Sequence, residues 1–242
     1  MRKLAISLLS GGLDSCVASA WAKQQGYELY LLSVNYGQVM RRELDHARQI
    51  SSYLKPVEHK LLVIEGFNQI SRSSRTDANL IEYDRPLDDG APVDIPAAYP
   101  PGRDSSFILI ASAWLESLML EDPTNVESGA IFIGTNKNDA ITYPDCRHEV
   151  YELLNRMLEI STKISVQYGK RIAVQTPLID RTKADVVRLG LEVNAPLHLT
   201  WSCYEGKDLA CGRCDPCKLR LWAFEQVGMH DPIPYAFSEV LA

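Results

Sequence analysis

A run of apolar residues, Leu4-Ala5-Ile6-Ser7-Leu8-Leu9, stops at Ser10-Gly11-Gly12-Leu13-Asp14-Ser15, and no other junction in the chain constrains its fold as strongly. The run is nearly continuous rather than alternating, the pattern of a parallel strand buried on both faces. Beyond the junction Val17, Ala18, Trp21 and Ala22 recur at helical spacing, and Gly26 supplies a stop. The residues between are therefore a strand-to-helix turn. At such a turn successive backbone N–H groups open onto a helix N-terminus, where unpaired donors and the helix dipole favour a phosphate. Side chains would block that approach, which glycines allow. The same residues would also serve as an ordinary tight turn, so the rest of the chain has to decide.

Further strand-like runs occur at Glu28–Asn35, 57–63, 130–134 and 171–176, with amphipathic helical stretches between most of them. Alternation of this kind predicts an α/β fold with a doubly wound parallel sheet. With 242 residues, 46% of them hydrophobic and 23% charged, the chain suits one sizeable domain over 1–199 and a small appendage over 200–242. Ligands in such sheets lie beyond the carboxyl ends of the strands. That rule groups Ser10 to Ser15 with Asn35-Tyr36-Gly37-Gln38 and Gly134-Thr135-Asn136. The stretch 66–104 differs: it has five prolines, several acidic residues and little periodicity, and reads as a lid beside a nucleotide. It leads into a helix-like run at 105–120, for which Asp104 is the expected N-cap.

The net charge of −6 argues against a whole-surface nucleic-acid binder, and no apolar stretch reaches the length of a membrane span. A cytoplasmic protein is expected, with the first apolar run read as a strand rather than a leader. Six cysteines in that setting point to thiol or metal chemistry. Four of them, Cys203, Cys211, Cys214 and Cys217, form a lone cysteine followed by a Cys-x-x-Cys-x-x-Cys run. Four thiolates on turns suit a closed tetrahedral zinc site, and an iron–sulfur cluster is the competing metal reading. Cys16 reads as a small buried side chain, and His46, His59 and His230 read as surface residues.

The loop at Ser10 to Ser15 lacks the Gly-x-x-x-x-Gly-Lys-Ser/Thr and Gly-x-Gly-x-x-Gly patterns. It resembles the Ser-Gly-Gly-x-Asp-Ser pyrophosphate loop of the N-type ATP pyrophosphatases, the adenine nucleotide alpha hydrolase-like enzymes that cut ATP between its α and β phosphates. Adding Tyr36-Gly37-Gln38 with Glu43, Pro101 to Arg103, Tyr143-Pro144-Asp145-Cys146-Arg147, Lys183 and Thr200-Trp201-Ser202-Cys203-Tyr204, the chain closely resembles the 7-cyano-7-deazaguanine synthase family almost end to end. The resemblance implies conversion of 7-carboxy-7-deazaguanine, ATP and ammonia into a nitrile for queuosine or archaeosine biosynthesis, by a homodimer with Mg2+ and Zn2+.

On that reading Ser10, Gly11, Gly12, Leu13, Asp14, Ser15, Asn35 and Gly134 surround the nucleotide, with Asp14 a magnesium ligand and Ser15 and Lys183 acting on the phosphates. Lys183 supplies the cation the loop lacks; as a residue on its own it reads equally as a solvated helix lysine. Tyr143, Asp145 and Arg147 offer the deazapurine a ring, an acceptor and a donor, and Arg103 would meet the carboxylate; Asp145 and Arg147 would also suit a loop salt bridge. The chain departs from the family at Met40, where many members carry His, and at Asp104, where they carry Asn. Two rival readings stand beside this one. A tRNA thiolase of the same fold would need a reactive cysteine pair and a basic platform, and a zinc-stapled nucleotide sensor would bind without turnover.

Overall fold

The computed structural model describes residues 1–84 and 95–236. Its five strands are β1 (Arg2–Leu8), β2 (Glu28–Asn35), β3 (Glu58–Val63), β4 (Val126–Phe132) and β5 (Ile172–Gln175). They form one all-parallel sheet in the order β3-β2-β1-β4-β5. The expected strand positions overlap the observed ones, with Glu28–Asn35 matched at both ends and the run at 130–134 reaching only the last three residues of β4.

Nine helices accompany the strands among the described residues, the last two after β5: α1 (Leu13–Gln24), α2 (Arg42–Leu54), α3 (Phe67–Ile70), α4 (Arg103–Glu121), α5 (Lys137–Thr142), α6 (His148–Ser161), α7 (Lys163–Tyr168), α8 (Lys183–Glu192) and α9 (Asp215–Gln226). Successive strand side chains point to opposite faces, and this sorts the core into two layers. Ala5, Leu29, Leu31 and Phe132 pack with α1, α2, α8 and α9 through Val17, Ile50, Val187 and Phe224. Leu4, Ile6, Tyr30 and Leu32 face the other way, onto α4, α6 and α7 through Leu115, Leu158 and Ile164. Both faces are covered, which accounts for the continuous apolar character of β1. The edge strand β3 is mostly exposed.

Two local expectations are corrected. Helix α4 begins at Arg103 with Gly102 as N-cap, at φ 69°, so Asp104 lies inside the first turn instead of capping it. His46 and His59 are half-buried rather than superficial. One His46 ring nitrogen lies 2.8 Å from the Leu199 carbonyl and its ring stacks on Trp201, while His59 lies 2.8 Å from Ser33 Oγ. His230 is exposed. Gly26 follows α1 at φ 81°, the left-handed conformation a helix stop requires.

The middle of the expected lid, residues 85–94, lies outside the described residues, as do residues 237–242 of the expected appendage. Around that gap, α3 and the turn at Ala78–Leu80 interrupt what the sequence presents as an irregular connection. Phe67 meets Tyr36 and Phe107, with ring centroids 5.8 and 5.7 Å away, and ties this stretch to the sheet.

The chain after α8 is held by a buried ion pair. Arg220, 0% exposed, donates from Nε to Asp231 Oδ2 at 2.6 Å and from Nη2 to Oδ1 at 2.9 Å. Its remaining donors reach Thr200 Oγ1 and the Leu197 carbonyl, and Tyr235 adds a hydroxyl to Asp231. Removing one partner of such a pair strands the other charge in the interior. Asp231→Ala is therefore expected to lower stability by about 3–5 kcal/mol, read from urea unfolding midpoints. The double variant Arg220→Met/Asp231→Leu should lose less than the single one.

Candidate active site

Strand order places β4 beside β1 while the chain from β1 runs the other way to β2 and β3, so the connections diverge between β1 and β4. A doubly wound sheet opens a crevice at that point, at the carboxyl ends of the strands. Here it is a cavity of about 820 Å³.

One end of the cavity is the start of α1. Gly12 precedes the helix without any side-chain cap, so the first N–H groups open into the cavity. The loop is folded on its own serines. Ser15 Oγ donates to the Gly12 carbonyl at 3.0 Å and accepts from the Ser10 backbone at 3.2 Å, while Ser10 Oγ accepts from the Gly12 N–H at 3.2 Å. Two glycines are dictated by packing. A Cβ on Gly11, at φ 98°, would lie 2.0 Å from the Glu43 carbonyl oxygen, and one on Gly134 would lie 2.7 Å from the backbone of Asp14 and Ser15.

Asp14 and Lys183 meet here. Lys183, the first residue of α8 behind a Thr182–Asp185 capping box, places Nζ 2.5 Å from Asp14 Oδ2. Asp14 Oδ1 is buried without a hydrogen-bond partner, an acceptor left over for a ligand. Asp139 stands close by in α5, accepting the Asn136 backbone N–H at 3.1 Å. Burial first, then the charge of Asp14, push its carboxyl up to about 6.

The other end of the cavity is aromatic and cationic. Tyr36, Tyr143 and Tyr204 line it with Arg75, Arg103, Asp104, Glu43 and Met40. Arg103 Nε donates to Asp104 Oδ1 at 2.6 Å, so the carboxylate at position 104 has its counter-ion next door. Burial would raise Asp104, but the Arg103 charge, the hydrogen bonds from Arg103 and Cys146 and the Arg75 charge together outweigh it and hold the carboxyl below the usual carboxylate range. Cys146 donates to the second oxygen of Asp104 at 3.4 Å, and burial pushes that thiol well above its ordinary value.

Met40 is 3% exposed and joins the cavity to the cysteine element, packing with Trp201, Cys203, Tyr204 and Cys214. The ligand atoms of Cys203, Cys211, Cys214 and Cys217 all lie within 4.8 Å of one another, and all four residues are buried. They fit one metal ion. The Cys211–Cys217 separation of 4.0 Å is close to the edge of an ideal ZnS4 tetrahedron, about 3.8 Å for 2.3 Å bonds. Backbone N–H groups of Glu205 and Cys211 point at Cys203 Sγ, and those of Arg213 and Cys214 at Cys211 Sγ, at 3.3–3.4 Å, as metal-bound thiolates require.

With this geometry in place, comparison with known proteins is decisive. A family model described as "Queuosine biosynthesis protein QueC" matches residues 4–228. The chain belongs to the QueC family. Among its relatives is a 7-cyano-7-deazaguanine synthase of Oceanobacillus iheyensis, 39% identical over 96% of this chain and 98% of the relative. One from Chlorobium chlorochromatii is 43% identical over 96% and 95%, and one from Acetivibrio thermocellus is 42% identical over 96% and 97%.

In this QueC-family chain the residues singled out from sequence do not all converge. Ser10, Gly12, Leu13, Asp14, Ser15, Gly134, Lys183, Arg103 and Tyr143 line the cavity. Gly11 lies behind the loop against Glu43. Asn35 does not line the cavity; it shapes the turn after β2, its Oδ1 accepting from the Gly37 N–H at 3.2 Å. Arg147 is exposed and away from the lining. Asp145 is partly buried and outside the lining, one oxygen unpartnered, and burial with the Asp104 charge pushes it up to about 6. No Asp145–Arg147 ion pair forms.

Arg75 and Asp139 are the site residues that the sequence did not yield. Asp139 had a signal in Asn136-x-x-Asp139, a capping-box spacing at the end of a strand. Arg75 had none. Among the described residues no helix is long and apolar enough to cross a membrane.

Asp139 sets a pH dependence. Its folded value of about 6 exceeds its ordinary 3.8, so the folded protein binds this proton more tightly than the unfolded chain does. That contribution to stability is lost as pH rises from about 4 through about 6. Asp139→Asn should match the parent at pH 4 and exceed it at pH 7 by roughly 1–3 kcal/mol, in urea unfolding without nucleotide or magnesium.

Proposed function

We propose that this QueC-family chain activates 7-carboxy-7-deazaguanine with ATP and, with ammonia, converts it by way of the amide to 7-cyano-7-deazaguanine. The observation that carries this reading is one cavity with an uncapped helix N-terminus and a lysine at one end and a tyrosine-lined compartment with guanidinium groups at the other.

A carboxylate does not exchange oxygen for ammonia, because oxide is too poor a leaving group. Attack of the substrate carboxylate on the α-phosphorus of ATP releases pyrophosphate and leaves an acyl-adenylate, whose leaving group is AMP. The N–H groups at the start of α1, with Gly12 allowing close approach, would receive the departing pyrophosphate, and Lys183 would balance its charge. Asp14 holds Lys183 in place. The unpartnered Asp14 Oδ1, with Asp139 beside it, also fits magnesium, which when bound would neutralise phosphate charge. Ammonia then displaces AMP to give the amide. Adenylation of the amide oxygen by a second ATP, and loss of AMP with the nitrogen's remaining protons, gives the nitrile. The Tyr143 ring offers a stacking surface for the deazapurine through both rounds.

Zinc is the ion that best suits the four thiolates. Sulfurs within 4.8 Å of one another enclose a single ion, whereas a four-iron cluster seats each thiolate on a separate iron and spreads them. With all four positions filled by protein, the metal's role is structural. The division into a nucleotide-binding domain over 1–199 and a metal-binding element from 200 belongs to the same reading, as does a homodimer, which sedimentation velocity would reveal at twice the chain mass.

One observation bears on whether the reaction runs past the amide. Met40 lies buried on the cavity and has no proton to give, and Asp104 ties up Arg103, so the groups available to the amide-to-nitrile step are few. Mass spectrometry of a reaction with ATP, magnesium, ammonium and 7-carboxy-7-deazaguanine separates the outcomes. The nitrile as main product is expected; accumulated amide would mean that the chain stops there, and no pyrophosphate release would remove the reading.

Two variants test the assigned roles. Asp14→Asn should fold normally and lose on the order of a hundredfold in pyrophosphate release, the scale of removing one charge-stabilising group. Elemental analysis should give about one zinc per chain. Cys214→Ser should lose both metal and stability; a metal-free, fully stable Cys214→Ser protein would overturn the structural role.

A further inference from the structure

The two guanidinium groups in the cavity differ in what surrounds them. Arg103 is committed to Asp104, with both side chains largely buried, at 16% and 13% exposed. A neutralised pair attracts an incoming anion only weakly, since the two charges oppose each other over any distance longer than their separation. Arg75 is different. Among the described residues it takes part in none of the ion pairs, and its Nε is buried without an acceptor.

Its neighbours are phenols. The Tyr204 ring centroid lies 5.5 Å from Arg75 Cζ, and Tyr143 and Tyr36 stand within electrostatic reach. Burial raises all three tyrosines above their ordinary value, so none supplies a negative charge. Three acids lie within its electrostatic reach: Asp104 is paired with Arg103, Asp139 accepts the Asn136 N–H, and Glu43 is engaged by Gln38 Nε2 at 3.1 Å and raised by burial towards its neutral form. Arg75 is also held in place through its backbone. Its carbonyl accepts the Val39 N–H at 2.9 Å and its own N–H reaches Ser73 Oγ at 3.3 Å.

A partly enclosed cation whose Nε is buried, with no ion-pair partner among the described residues, is costly to keep. The cost is recovered if the ligand brings the missing charge. We infer that Arg75, rather than Arg103, is the residue that reads the ionised carboxylate of the substrate and so sets the preference for acid over amide. A planar guanidinium can meet a carboxylate with two parallel hydrogen bonds, and beside Tyr143 it would do so at the edge of a stacked ring. The amide presents only one acceptor and no charge, so the same residue holds it less well. This inference rests on a carboxylated deazapurine being the substrate.

The test is calorimetric titration of the metal-loaded full chain with 7-carboxy-7-deazaguanine, its 7-carboxamide and ATP. The parent should bind the acid more tightly than the amide. Arg75→Met should lose about 10- to 100-fold in acid affinity while amide and ATP affinities move less than about threefold. Adding Asp104→Asn to Arg75→Met frees Arg103 and should restore part of the acid affinity. Should Arg75→Met not fold, Arg75→Lys and Arg75→Gln carry the same comparison, with Lys retaining more of the acid preference than Gln. Unchanged acid affinity, or equal losses for acid and amide, would overturn the inference and leave the proposed reaction standing. A parent protein that binds ATP but neither deazapurine would overturn both.

Discussion

Everything at the active end of this molecule depends on how closely the end of β4 approaches the start of α1. A single methyl group at Gly134 would collide with the backbone of Asp14 and Ser15, and one at Gly11 would collide with the backbone of α2. These contacts fix three elements around one helix N-terminus before any ligand arrives. The order β3-β2-β1-β4-β5 then opens a crevice at that terminus, because the chain departs from it in two directions. The cavity is a consequence of topology, and the loop serines bond to one another and to the Gly12 carbonyl, which folds the loop on itself.

Within that frame the cavity separates charge. Lys183 and Asp14 stand at one end, Arg103 and Asp104 at the other, each pair locally balanced. What remains unpaired bears on what the cavity can accept, and it includes a buried oxygen on Asp14, a buried guanidinium nitrogen on Arg75 and the indole nitrogen of Trp201. Acceptors and donors left over after internal pairing say more about ligands than the number of charged residues does.

The sheet and the loop were legible because they rest on local rules. A continuous apolar run gives a buried strand, and two glycines at its end give a tight turn onto a helix. The cysteine cluster was legible from spacing alone. Arg103 and Asp104 were visible as residues but not as partners, since the pairing depends on α4 beginning two residues earlier than the capping preference of Asp104 suggested. Asn35 and Arg147 sit in recognisable motifs, yet Asn35 serves its own turn and Arg147 faces outward. Motif membership fixes a neighbourhood and leaves side-chain direction to packing. Arg75 lay beyond reach, in a serine-rich stretch without period, where position comes from distant contacts such as the Val39 backbone.

The cysteine element also grips the stretch that follows Arg75. Tyr83 bridges Cys214 through backbone, the Asp84 N–H reaches the Arg213 carbonyl at 3.1 Å, and the Arg213 guanidinium closes on the Asp84 carboxylate. Arg213 and Cys214 also turn their own N–H groups onto Cys211 Sγ. One short peptide therefore serves two masters, the ion and the chain that leads back to the substrate compartment. An ion held by those thiolates and a ligand held in that compartment would act on the same backbone, so linkage between them would run both ways.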